Sequence, residues 1–283
     1  MVAAFSLLLT DYPQSKAAPQ AHYWKGWAAL SDKDYAGALT ELDAARKGDA
    51  AQFGERASLR ILLCDYSLDR PADAMKEAMS LKPALIPPEV AQWLGLRAMK
   101  EGSPQKAERF LKPLVREGAP GAQDPELLST LSSALTAQGR YKEALPLASA
   151  CLKLARDPAS RARALIAAAQ IQKALGNFQE TAAQADEAML LQPEGPVNAE
   201  ARLLAGDLLA ARKDFLGAAK AYMTVAVLND DPAVTPRALT LAADAYRRGG
   251  NSVEAQKAED ELHNRFPSSP QASPSPRTHL SQP

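Results

Sequence analysis

The sequence predicts an all-α protein, an array of antiparallel helix hairpins, and three observations carry that expectation. Of its 283 residues 46% are hydrophobic but only 6% aromatic, so the apolar content is mostly alanine and leucine. Those residues favour helix, and few residues are β-branched. Prolines number 21, and a helix tolerates proline only in its first turn or beyond its ends, so they mark many helix ends. Third, small residues recur in pairs at a nearly constant period.

Along the chain these pairs are Gly26/Ala38, Leu62/Ala74, Gly95/Ala107, Ser132/Ala144, Ala169/Thr181, Gly206/Ala218 and Ala243/Ala255, each twelve apart. All members except Leu62 are Gly, Ala, Ser or Thr, and the second members follow one another by 36, 33, 37, 37, 37 and 37 residues. A turn lies inside most pairs: Ser31–Asp34, Glu101–Ser103, Gln138–Arg140, Leu175–Asn177, Arg212–Asp214 and Gly249–Asn251. Tyr35, Pro104, Tyr141, Phe178, Phe215 and Ser252 then open the second helices. Packing positions follow four and seven residues beyond the second small residue, as in Leu42/Ala45, Leu111/Leu114, Ala185/Ala188 and Tyr222/Val225. That rhythm holds one face of each helix. Helices touch where side chains are smallest, so a bulky residue at Ala144 or Ala218 should cost about 1–3 kcal/mol. One hairpin cannot bury its apolar face alone, and stacking on neighbours supplies the core.

Small residue, small residue twelve later, a packing residue at plus four, an alanine-like one at plus seven, a proline near plus twelve: this pattern resembles the tetratricopeptide repeat. The resemblance covers residues 19–267 and implies a right-handed superhelical solenoid of about seven units. It is weakest at Lys82–Glu89, crowded with Pro83, Pro87 and Pro88. Residues 1–18 read as the second helix of an incomplete repeat and a linker, with Val2, Phe5, Leu8 and Leu9 partly uncovered. That expectation includes repeats preceding this chain, or a partner over the helix. Residues 268–283 are Ser/Pro-rich without hydrophobic period and read as a disordered tail.

In arrays of this kind the first helices line a groove that binds ligands. The resemblance therefore implies that Tyr23, Trp27, Leu30, Leu59, Leu63, Tyr66, Leu96 and Met99 face it in the N-terminal half. The C-terminal half of the groove is polar, with Lys173, Asp207, Asp244 and Arg247. Aromatic residues in a groove are typical binding anchors; the competing reading packs Trp24, Trp27 and Tyr66 against neighbouring helices. The family's clamp for chaperone C-terminal carboxylates needs a Lys and an Asn at pairs such as Tyr23/Trp27 or Leu59/Leu63, and neither pair matches. The junctions Tyr12-Pro13-Gln14-Ser15 and Arg265-Phe266-Pro267-Ser268 are similar to those of bacterial cell-envelope repeat scaffolds, which implies a bacterial cytoplasm or periplasm.

Function follows by elimination and resemblance. Thirty-three Lys+Arg balance 33 Asp+Glu, so neither nucleic acid nor an anionic membrane is an expected partner. No apolar run is long enough to span a bilayer, and Met1–Leu9 has no basic residue before it, as a signal peptide would. Cys64 and Cys151 form no metal-binding spacing, and His22, His263 and His279 have no ligand or nucleophile nearby in sequence. Without a nucleophile elbow, phosphate loop or zinc motif, no catalysis, cofactor or metal is expected. The expectation is a protein–protein interaction scaffold that takes a peptide or helix in its groove. The alternative is a C-terminal regulatory or assembly arm of a larger bacterial protein. Two prolines, Pro113 and Pro146, fall within second helices and predict kinks there.

Overall fold

The paired small residues lie on the two helices of successive hairpins. The computed structural model describes residues 1–272, and among these it has fifteen α-helices and no strand. The chain divides into two units, one over residues 1–138 and one from Gly139 on.

In the first unit α1 (Val2–Asp11) precedes three hairpins and a single helix. The hairpins are α2 (Ala18–Ser31) with α3 (Tyr35–Gly48), α4 (Ala50–Ser67) with α5 (Pro71–Ser80), and α6 (Pro88–Lys100) with α7 (Pro104–Leu111). Helix α8 (Pro125–Ala137) closes the unit. In the second unit α9 (Tyr141–Leu154) is followed by α10 (Pro158–Ala174) with α11 (Phe178–Leu191), α12 (Pro196–Ala211) with α13 (Phe215–Leu228), and α14 (Thr235–Arg248) with α15 (Ser252–Arg265). Residues Pro270–Ala272 form a 3-10 turn; of the expected tail, residues 273–283 lie outside the described residues.

Proline opens most first helices because its missing N–H would be unpaired there anyway. It stands at the start of α6, α8, α10 and α12, and one residue further in for α2 and α14. Pro146 lies inside α9 as expected. Pro113 does not kink α7: that helix already ends at Leu111, so the proline follows its end. The same residue type acts differently because α7 is cut short at 8 residues while α9 runs for 14.

The hairpin turns share one backbone solution. Seven residues after each first-helix small position the chain enters the left-handed region, at Lys33, Asp69, Gly102, Gly139, Gly176, Lys213 and Gly250. The N–H of the next residue commonly reaches back into the first helix, as Asp34 to Ala29, Ser103 to Ala98 and Asn177 to Gln172 at 2.8–2.9 Å. This closure satisfies carbonyls that the helix end leaves orphaned. Glycine occupies four of these seven places at no steric cost; Lys33, Asp69 and Lys213 are L-residues held there by the turn.

The glycine columns do more than bring alanines together. A Cβ on Gly26 would fall 2.7 Å from Leu42 Cγ, on Gly95 2.4 Å from Leu111 Cδ2, and on Gly206 2.4 Å from the Tyr222 ring. Each of these partners stands sixteen residues after its glycine, one turn beyond the small second-helix residue. Leu62 and Ala169 instead stand with the small Ala78 and Ala185, whereas Ala243 stands with Glu259. In the three glycine pairs the large second-helix side chain fills the space that the glycine leaves.

Candidate interaction surface

In the first unit α2 touches α4 and α6 touches α8, and Tyr66 on α4 meets Trp93 on α6 edge to face at 5.2 Å. The first helices thus lie side by side and present one face. Trp27 is 40% exposed on it, while Leu30, Leu59, Leu63, Tyr66, Leu96 and Met99 are half-buried. Tyr23 corrects the expectation: at 4% exposure it is a core residue. Its ring packs 5.1 Å from Phe53, between α2 and α4, so the position three residues before Gly26 turns inward.

The aromatic residues form a strip. Trp27 meets Trp24 at 5.7 Å, Trp24 meets Tyr23 at 5.5 Å, and the Arg60 guanidinium lies 4.8 Å over the Tyr23 ring. Trp93 and Arg60 escape a reading based on the groove positions alone. Both stand two residues before the first-helix small position, at Gly95 and Leu62, as Trp24 does before Gly26. That shared column was the available signal.

Beside this strip the Glu41 carboxylate on α3 accepts from Lys25 at 2.7 Å and lies 2.6 Å from His22 Nδ1. Burial pushes the Glu41 carboxyl up, but the hydrogen bonds from Lys25 and His22 outweigh it and hold it below its ordinary range. Asp65 is the opposite case. It is 2% exposed, its Oδ1 has no hydrogen-bond partner, and Arg70 stands off at 3.5 Å. Burial, against the pull of Arg70, pushes this carboxyl up to about 6. Burial and the neighbouring Asp65 push the Cys64 thiol up to about 11, so it is no thiolate nucleophile near neutral pH.

The corresponding face of the second unit is internally paired. Asp207 accepts from Lys173 at 2.5 Å and from the Tyr222 hydroxyl at 2.7 Å. Burial and this hydrogen bond push the Tyr222 hydroxyl well above its ordinary range. Arg247 pairs with Glu259, and Arg248 lies 3.7 Å from Asp244.

A separate cleft of about 850 Å³ opens in the first unit, between the connections that follow α5 and α7. Buried Ile86 and Leu127 line it, with Pro113 and Leu114, and Glu89 and Glu117 among its charged residues. Among the described residues no group of three or more His, Cys, Asp or Glu could hold a metal. No helix there is long and apolar enough to cross a membrane.

A family model described as tetratricopeptide repeat matches residues 3–55 and 159–234. Among curated proteins none matches the sequence significantly. Among solved structures, a tetratricopeptide repeat protein from Parabacteroides merdae is 14% identical with TM-score 0.52, over 88% of this chain and 93% of that one. A putative kinesin light chain repeat protein from Podosopora anserina is 20% identical with TM-score 0.51, over 62% of this chain and 93% of that one. MamA from Desulfovibrio magneticus is 18% identical with TM-score 0.50, over 64% and 96%. At such identities the likeness is one of fold.

Proposed function

For a chain that carries tetratricopeptide repeats, a fold that generally serves as a non-catalytic protein–protein interaction scaffold, we propose that the first-helix face of the first unit is the binding surface. The occupant is a peptide or helix of a partner protein, lying across α2, α4 and α6. The observation that carries this reading is Trp27: a large indole left 40% exposed beside half-buried Leu30, Leu63, Tyr66, Leu96 and Met99. Aromatic side chains of this kind supply most of the energy of an interface when a partner dehydrates them. The polar face of the second unit supports the contrast, since its charges already have partners within the chain.

Trp27→Ala tests the reading. It is expected to weaken capture of the native partner about tenfold or more while shifting the thermal midpoint little, because the indole is only partly buried. A sharp drop in midpoint with unchanged capture would make Trp27 a packing residue and move the site elsewhere.

A further inference from the structure

Two guanidinium groups stand on the α4 side of the aromatic strip without a carboxylate. Arg60 stacks on Tyr23, and its one hydrogen bond goes to the carbonyl of Arg56, at 3.3 Å. Its Nε is buried with no hydrogen-bond partner. Arg56 is exposed one helical turn earlier, on the same side. Arg46, Arg70 and Arg97 are neutralised locally, by Asp43 and Glu77, by Asp73 and by Glu101, while Arg109 is held by the carbonyls of Met79 and Leu81. The Nη groups of Arg60 have the Arg56 carbonyl as their one acceptor, which leaves donors for a carboxylate from outside the chain. The adjacent indole offers an apolar contact, and a planar guanidinium suits a carboxylate.

We infer that the surface formed by Trp24, Trp27, Arg60 and Arg56 takes an acidic segment of a partner protein, with a carboxylate side chain on Arg60 and an aliphatic or aromatic side chain against Trp27. This rests on the groove reading above and adds the chemistry of the occupant. Arginine and tryptophan also suit single-stranded nucleic acid, but two guanidiniums make no track for a phosphate backbone, and the chain as a whole has net charge zero.

The probes are capped peptides of about ten residues on a Gly/Ser background, carrying leucines with glutamates, with glutamines, or with lysines, and an oligothymidylate of similar length. Binding to the full chain is read by fluorescence anisotropy. The glutamate peptide is expected to bind about tenfold more tightly than the glutamine peptide, with the lysine peptide weaker still. Arg60→Gln removes the preference for the glutamate over the glutamine peptide, and Arg56→Gln reduces it less. Arg60→Glu reverses it toward lysine, a readout that loss of folding does not mimic. Equal binding of the glutamate and glutamine peptides, or a preference that survives Arg60→Gln, overturns the inference. If Trp27→Ala still weakens the leucine-bearing peptides in that case, the groove reading stands alone. If no peptide binds, or Trp27→Ala changes none of them, both fall. Tighter binding of the oligothymidylate than of any peptide also overturns the inference.

Discussion

The two units build the same hairpin and finish its exposed face in opposite ways. In the second unit the hairpins run at a strict period, with Ala169, Gly206 and Ala243 each 37 residues apart, and α11, α13 and α15 are all 14 residues long. Its first-helix charges Lys173 and Asp207 close on one another, and Asp207 also accepts from Tyr222 of α13. The first unit departs from that period: α5 has 10 residues and α7 has 8, with 3-10 turns at Pro83–Leu85 and Pro120–Gln123 between the helices. Its exposed face keeps an open indole and unpaired arginines. In the regular unit the groove charges Lys173, Asp207, Asp244 and Arg247 pair within the chain, whereas the irregular unit leaves Trp27 exposed.

The largest expected effect tests the rule that a large second-helix residue fills the space its paired glycine leaves. Gly206→Leu drives a side chain into the Tyr222 ring and should cost about 3 kcal/mol in chemical denaturation. Adding Tyr222→Ala copies the Leu62/Ala78 arrangement of the first unit and should recover part of that loss. A double variant as unstable as the sum of the two single ones would break the rule.

This rule shows how much of the fold was legible in the sequence. The period, the turns and the helix faces could be read because small residues recur at fixed spacing. The contact made by each glycine could not, since the twelve-residue pairing draws attention to Ala38, Ala107 and Ala218 rather than to Leu42, Leu111 and Tyr222. The kink expected at Pro113 failed for a related reason: where a helix ends depends on the whole connection, and that one departs from the repeat. In the candidate surface, Trp27, Tyr66 and their neighbours follow from position along the helix. Tyr23 does not, because whether a ring three residues before Gly26 turns inward depends on Phe53 of the next helix.

A second test separates the units by pH. Asp65 in the first unit is pushed up to about 6 by burial, so the folded chain holds its proton at pH values where the unfolded chain has released it. Stability contributed by the protonated carboxyl is therefore lost as pH rises from the ordinary aspartate range through about 6. Asp65→Asn should remove that fall and raise the denaturation midpoint at neutral pH. An unchanged pH profile would contradict it.

The smallest effect concerns the turns, where the units should agree. Lys33 and Lys213 occupy the left-handed position that Gly102, Gly139, Gly176 and Gly250 fill elsewhere. Lys33→Gly and Lys213→Gly should each stabilise by up to about 1 kcal/mol, and Gly176→Ala should cost a similar amount. Destabilisation by both lysine replacements would mean that their side chains contribute more than their backbones lose.

The contrast between an open and a closed face is tested most directly by backbone amide chemical shifts during titration with the glutamate–leucine peptide. The account predicts saturable changes confined to α2, α4 and α6, centred on Trp27 and Arg60, with α10, α12 and α14 unmoved. Changes centred instead on Lys173, Asp207 and Asp244, or on the second helices, would contradict it.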